Sequence, residues 1–257
     1  MIVSVQDLTV TYRGSPMPAL SGITLDIAEG ERLAIIGESG SGKSTFGLAL
    51  AGLLPANTTM SGTVSRAGDR APVGGRDIGM VFQDPGTSLN PVLTVGEQVA
   101  EVARRHLRLH WRDAYRRAAD LLARVRLPDP EKALRAYPHQ LSGGQRQRVA
   151  IAAAIAANPK LLIADEATSA LDVLVQAEIA ALLRELVEER GMTLLFITHD
   201  IALASTLADR IAVFRHGQLV DIGLAARVLG QPEPYTAELI GSHLDLQTPP
   251  LIDRPAA

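Results

Sequence analysis

Apolar positions change their spacing several times along the chain, and each change marks an element. Val3, Val5, Leu8, Val10 and Tyr12 come close to alternating with polar residues, as do Ile23, Leu25 and Ile27. Two half-buried strands are predicted there, punctuated by Gly22 and Gly30. Residues 32–36 are almost continuously apolar and run into a glycine-rich stretch, the pattern of a strand covered on both faces in a parallel sheet. Residues 44–50 are compatible with a helix despite Gly47, and Pro55 closes it. Between residues 94 and 127 the character shifts. Arg104, Arg105, Arg108, Arg112, Arg116 and Arg117 crowd among apolar residues at helical spacing such as Val99, Val102 and Leu107. This predicts a separate, mostly helical unit bounded by Pro91 and by Pro128 and Pro130. A helix over about 144–157, a strand over 161–164 and a further helix follow. In that last helix Val175, Ile179, Leu182 and Leu186 recur at helical spacing before Gly191. Residues 193–198 form one more apolar strand. Alternating strands and helices of this kind indicate a layered α/β core with a parallel sheet.

A chain of 257 residues accommodates one domain carrying an insertion or a tail. The expected division is one main domain over 1–241, a helical insertion over about 91–157 and a loose tail over 242–257, where Pro249, Pro250 and Pro255 cluster. A net charge of −3 gives no bulk attraction to nucleic acid or anionic lipid. With acids such as Glu97, Glu101 and Asp113 nearby, the arginine cluster reads as a solvated or partner-facing helix rather than a nucleic-acid patch. The absence of cysteine excludes disulfides, thiol catalysis and Cys-ligated metal centres. The apolar run at 149–157 stops at Asn158-Pro159, short of the roughly 20 residues a membrane span needs. No basic region precedes an apolar run at the N-terminus, so no signal peptide is expected.

The stretch Gly37-Glu38-Ser39-Gly40-Ser41-Gly42-Lys43-Ser44 fits G-x-x-x-x-G-K-[ST] between a predicted strand and a predicted helix. Glycines let backbone N–H groups curl around phosphates, and the helix N-terminus adds partial positive charge. Lys43 supplies a point charge to the β and γ phosphates of ATP, Ser44 a hydroxyl to Mg²⁺, and Thr45 extends the nucleotide-binding set. Downstream, the predicted strand at 161–164 delivers Asp165 to the Mg²⁺ side of such a site and Glu166 to its mouth, where a carboxylate can orient and deprotonate water. Two acids after a strand are weak on their own; behind a phosphate loop they become a candidate catalytic pair.

Leu141-Ser142-Gly143-Gly144-Gln145 decides the family: it resembles the signature of ABC ATPases, flanked as there by Tyr137-Pro138-His139-Gln140 and Arg146-Gln147-Arg148. Read from the residues alone, Ser142, Gly143 and Gly144 open a helix with bare N–H groups, a second anion site in one chain. The resemblance supplies its use: the signature of one subunit closes on the γ-phosphate held by its partner's phosphate loop. It also implies a RecA-like P-loop NTPase core with an N-terminal antiparallel β subdomain and an inserted helical subdomain. Further positions match in order. Gln83 resembles the Q-loop glutamine that touches Mg²⁺ and water. Ser169-Ala170-Leu171-Asp172 resembles the D-loop, and His199 the switch histidine sensing the γ-phosphate. Tyr12 resembles the aromatic that stacks on adenine. Ala167 stands where many members carry proline.

Within the family, residues 84–98 and Pro234-Tyr235-Thr236 resemble segments of dipeptide, oligopeptide and nickel importers, with Glu233 replacing a histidine. Without cysteine, the chain is closer to the shorter nickel or metal-chelate type than to relatives with an iron–sulfur segment. The resemblance implies a peripheral subunit at the cytoplasmic face of the cell (inner) membrane. Its partners would be a second ATPase subunit, identical or different, two transmembrane permeases and, indirectly, an extracytoplasmic binding protein; nucleic acid is not expected. An exporter ATPase and a soluble non-transport ABC ATPase are the alternatives.

Overall fold

Strand β1 (Val3–Tyr12) pairs antiparallel with β2 (Leu20–Ile27) on one side and with β4 (Thr58–Arg66) on the other. Val3 lies opposite Ile27, and Val5 lies between Leu25 and Val64. The alternating pattern puts Val3, Val5, Leu8 and Val10 inward, where they are buried with Ile23 and Ile27. The structure is a computed structural model, and it describes residues 1–66, 74–168 and 171–244.

Six strands make the second sheet, in the order β5 (Ile78–Val81), β6 (Leu161–Asp165), β7 (Thr193–Ile197), β3 (Arg32–Ile36), β8 (Arg210–Arg215) and β9 (Gln218–Leu224). All run parallel except β9, which returns antiparallel along β8. Strands β6 and β7 are buried along their whole length, as near-continuous apolar runs require when helices cover both faces. The register decides where the chemistry falls. Val81 lies beside Ala164, Asp165 beside Ile197 and Ile197 beside Ile35. The carboxyl ends of β5, β6, β7 and β3 therefore form one rim, and each of the four leads directly into a candidate site residue.

Helix α1 (Lys43–Ala51) follows β3 and packs Phe46, Ala49 and Leu50 onto the sheet. After the short α2 (Pro85–Ser88) come α3 (Val95–Leu107) and α4 (Trp111–Arg124), which bury Val95, Val99, Ala100 and Ala103 with Ala114, Ala118, Leu121 and Leu122. A reciprocal cap starts α3: the Thr94 amide and hydroxyl donate to Glu97 Oε2 at 2.8 and 2.7 Å, and the Glu97 amide donates back to Thr94 Oγ1. The helices α5 (Pro130–Ala133) and α6 (Gly143–Ala154) lead back to β6. Helices α7 (Val173–Arg190), α8 (Ile201–Leu207), α9 (Ala225–Gly230) and α10 (Pro234–Leu244) complete the chain. Gly191 closes α7 in the left-handed conformation, the stop read from sequence.

Part of the arginine cluster is structural. Arg117 donates to the Ala156 carbonyl at 2.7 Å and to Asn158 Oδ1 at 2.6 Å, Arg116 pairs with Asp113, and Arg104 lies 4.8 Å from the Trp111 ring centroid. The expected tail lies outside the described residues from 245 onward.

Candidate functional site

Strand β3 hands the chain to a loop that turns on Gly37. Its φ is 148°, and a side chain there would collide with the carbonyl oxygen of Phe214 on β8, so the loop passes only with glycine. Gly42, also left-handed, precedes α1 without any side-chain cap. The first-turn N–H groups of α1 are thus left for an external acceptor, and a phosphate suits them in charge and geometry. Lys43 is 5% exposed and its Nζ donates to the carbonyls of Gly37 and Glu38, both at 2.8 Å. Burial lowers the Lys43 pKa, while the carboxylates of Glu166, Asp165 and Glu38 act the other way. Two of the three ammonium hydrogens hold the loop.

Beside this loop, β6 ends on Asp165, 7% exposed. Burial raises its pKa, the Ser44 hydroxyl lowers it, the Glu166 charge raises it and Lys43 lowers it. Ser44 Oγ donates to Asp165 Oδ1 at 2.9 Å. The next residue, Glu166, has a φ of 45°, a left-handed conformation that costs a side-chain-bearing residue on the order of 1 kcal/mol. Its amide is tied to the Ile197 carbonyl at 2.8 Å. That twist turns the carboxylate into the cleft. There Gln83 Nε2 donates to Glu166 Oε2 at 2.8 Å, and His199 Nδ1 lies 3.6 Å from Glu166 Oε1. Ala19, Ser39, Gly40, Gly42, Lys43, Ser44, Thr45, Gln83 and Glu166 line a cleft of about 230 Å³. Tyr12 approaches from the antiparallel sheet, with its hydroxyl 3.1 Å from Thr45 Oγ1.

The donors fit a magnesium ion bound together with phosphates. Ser44 and Asp165 offer oxygen, and Gln83 turns its N–H to Glu166, which leaves Oε1 for a cation. Among the described residues no three His, Asp or Glu side chains gather into an all-protein metal cage.

Ser142 caps α6: its Oγ accepts from the Gln145 amide at 3.2 Å, and Gln145 Oε1 accepts from the Ser142 amide at 2.9 Å. Asp172 caps α7 by accepting from the Val175 amide at 3.0 Å. The two helix starts lie side by side, since a side chain at Gly144 would come within 3.0 Å of Val175. Neither Ser142, Gly143, Gly144, Gln145 nor Asp172 lines the phosphate cleft. One chain therefore carries two anion-ready helix ends that do not meet. Ser169 and Ala170 lie outside the described residues.

Sequence reasoning missed the floor of the site. Gly217, in the turn between β8 and β9, donates its amide to the Ser41 carbonyl at 3.0 Å and accepts from the Ser21 amide at 2.8 Å, while Ala19 joins the cleft wall. These are backbone contacts, invisible in residue type; Gly217, at φ 76°, was the only local signal.

A family model described as ABC transporter matches residues 20–169. The chain is 42% identical to the oligopeptide transport ATP-binding protein OppD of Bacillus subtilis over 96% of its own length and 73% of that protein. It is 44% identical to the dipeptide transport ATP-binding protein DppD of Haemophilus influenzae over 94% of its length and 77% of that protein. Among solved structures, the dimeric ATP-binding cassette MJ0796, in a post-hydrolysis state bound to ADP and Pi, superposes with a TM-score of 0.75 at 33% identity. That match covers 87% of this chain and 99% of that one. The cbiO1 subunit of the Clostridium perfringens cbiONQ transporter complex gives a TM-score of 0.75 at 32% identity, covering 95% of each chain.

Proposed function

The chain belongs to the ABC transporter family of ATP-binding subunits, and from that membership we propose that it hydrolyses ATP to power an importer of peptides. One observation carries the reading. Lys43, Ser44, Gln83, Asp165, Glu166 and His199 gather at one sheet rim, while the Ser142–Gln145 turn offers a second anion site outside that cleft. Two copies, or this chain and a similar partner, complete each other's sites when the signature turn of one faces the phosphate loop of the other. The dimeric cassette among its structural relatives supports this arrangement.

In the proposed reaction, the loop amides and Lys43 bind and orient the triphosphate. Ser44 and Asp165, with Gln83 beside them, would hold Mg²⁺, which when bound would supply positive charge against the phosphates. Glu166 orients a water and accepts its proton as the water oxygen bonds to the γ-phosphorus and the bond to the β-phosphate oxygen breaks. Its carboxylate is already held by Gln83 and faced by His199, so it is presented rather than free to turn. Tyr12 stacks on the adenine. Asp172 with its loop contacts the partner subunit, and loss of the shared γ-phosphate lets the pair part.

Peptides are preferred to nickel or metal chelates because the relatives matched over nearly the whole chain carry peptide cargo in their names. Among the described residues no helix is long and apolar enough to cross a membrane. Two permeases would hold the subunit at the cytoplasmic face of the inner membrane, with an extracytoplasmic binding protein delivering cargo. Reconstitution with its permeases in vesicles tests this: ATP-dependent uptake of a labelled oligopeptide is expected. Cargo-stimulated phosphate release with uptake of a nickel chelate alone would reassign the cargo, and export of peptide would reverse the direction.

A further inference from the structure

From Asp165, at the end of β6, the chain passes Glu166 and reaches Asp172, the cap of α7. Glu166 keeps its left-handed φ of 45°, and such a conformation persists only where the surroundings over-determine it. On one side the restraint is the Glu166 amide, which donates to the Ile197 carbonyl on β7. On the other side Ala167 is buried but has no ring to fix its φ. Restraint there comes from α7. Gln176, half-buried near the start of that helix, donates through Nε2 to the Thr168 carbonyl at 3.0 Å and to the Leu171 carbonyl at 3.1 Å. The Leu171 amide donates to the same Thr168 carbonyl at 3.1 Å. One side-chain amide thus grips the main chain that follows Glu166 at two points.

The base of this grip is itself held. The Gln176 amide donates to the Asp172 carbonyl at 2.9 Å, and Asp172 Oδ1 accepts from the Val175 amide, so the glutamine stands on a capped first turn. Ile179, Leu182, Leu183 and Leu186 then bury α7 in the core. The far end of the gripped stretch lies against the signature turn: a side chain at Gly143 would come 3.7 Å from Leu171. Gln176 does not line the phosphate cleft. Its bearing on the reaction therefore runs through the residue whose downstream backbone it holds.

We propose that Gln176 is a positioning residue for hydrolysis: by holding the Thr168 and Leu171 carbonyls it fixes the path of the chain after Glu166 and keeps that carboxylate turned to Gln83 and the cleft. This rests on the reading of Glu166 as the acid that activates water. It adds to that reading an anchor on α7, beyond residue 169 where the family model ends.

Gln176→Met in the full chain is the test, because it keeps the length of the side chain and removes its donors. ATP affinity and KM should stay within about twofold, since the phosphate loop and Lys43 are untouched, while kcat should fall about 10- to 100-fold as the carboxylate loses its aim. Rates are referred to titrated ATP-binding sites, so that unfolded chain does not count as lost catalysis. Gln176→Asn keeps the amide but is a methylene too short to reach both carbonyls. It should show the same split between kcat and KM, and it remains measurable if the Met chain folds poorly. In single-turnover runs, Glu166→Gln combined with Gln176→Met should be no slower than Glu166→Gln alone, because the glutamine acts through that acid. A further loss in the double variant as large as that of Gln176→Met by itself would overturn the proposal. Unchanged kcat in both Gln176 variants, with or without a lowered melting temperature, would assign Gln176 to packing and likewise overturn it. Normal turnover in Glu166→Gln would instead overturn the reading of Glu166 on which the proposal rests.

Discussion

Gln83 Nε2 donates to Glu166 Oε2 at 2.8 Å across 83 residues of sequence, joining the segment that leads into the helical unit to the acid at the mouth of β6. A displacement of the helices beyond Gln83 is thereby transmitted to the group proposed to activate water. If Glu166 activates water as proposed, this bond is expected to make hydrolysis sensitive to the position of the helical unit.

Glu166→Gln should keep ATP binding and hold two chains together in the presence of ATP. Removing a general base slows chemistry about 10²- to 10⁴-fold, so phosphate release should fall by that order and a dimer should appear in size-exclusion runs with ATP. Normal turnover would remove Glu166 from the base assignment.

Gln83→Ala should lower ATPase activity while leaving ATP affinity within about threefold, because it frees the Glu166 carboxylate to turn without touching the phosphate loop. In the reconstituted transporter, hydrolysis should become less responsive to cargo. Comparing cargo-stimulated with basal phosphate release checks this.

Asp165 carries a stability cost tied to its function. Its folded-state pKa is raised, with burial the largest cause. The stability it permits is therefore fully present below the unfolded carboxylate value, about 3.9, and is lost as pH rises through the folded value. Asp165→Asn should melt higher than the parent at pH 7 without nucleotide, with the gain shrinking toward pH 4, and should abolish Mg²⁺-dependent hydrolysis. Melting curves at the two pH values decide the matter.

Removing Mg²⁺ with a chelator should stop phosphate release while leaving nucleotide binding measurable, since in the proposed site the loop amides and Lys43 would bind phosphate without needing the cation. Hydrolysis persisting without divalent ions would contradict the proposed use of Ser44 and Asp165.

Gly79→Ala should destabilise the fold without touching the cleft. A methyl at that point of β5 collides with the Ala154 carbonyl and presses on Pro159. Overpacking of this kind costs roughly 1–3 kcal/mol, a fall of several degrees in melting temperature, with ATP affinity per folded molecule unchanged.

Much was legible from the sequence because it was local. The phosphate loop, its preceding strand and its following helix are contiguous, so spacing and residue type defined them. The strands at 161–165 and 193–197 were visible because burial on both faces leaves unbroken apolar runs. Strand β4 was not assigned: it carries Met60 and Val64 among threonines and serines, and it is the edge of a three-stranded sheet with much of its surface in solvent. Strands β8 and β9 and helix α10 also went unread, although Tyr235 had been marked by resemblance.

By itself the sequence determined which side chains could do chemistry and which backbone turns could hold phosphate, since those depend on neighbours a few residues apart. Only the tertiary structure decided that β5, β6, β7 and β3 end on a common rim, bringing Lys43, Gln83 and Glu166 to one cleft with Asp165 against Ser44 and His199 against Glu166. It alone set α10 beneath the phosphate loop and left the signature turn outside it. Strand order is fixed by how buried faces and crossover helices pack over the whole chain, and no local spacing records that.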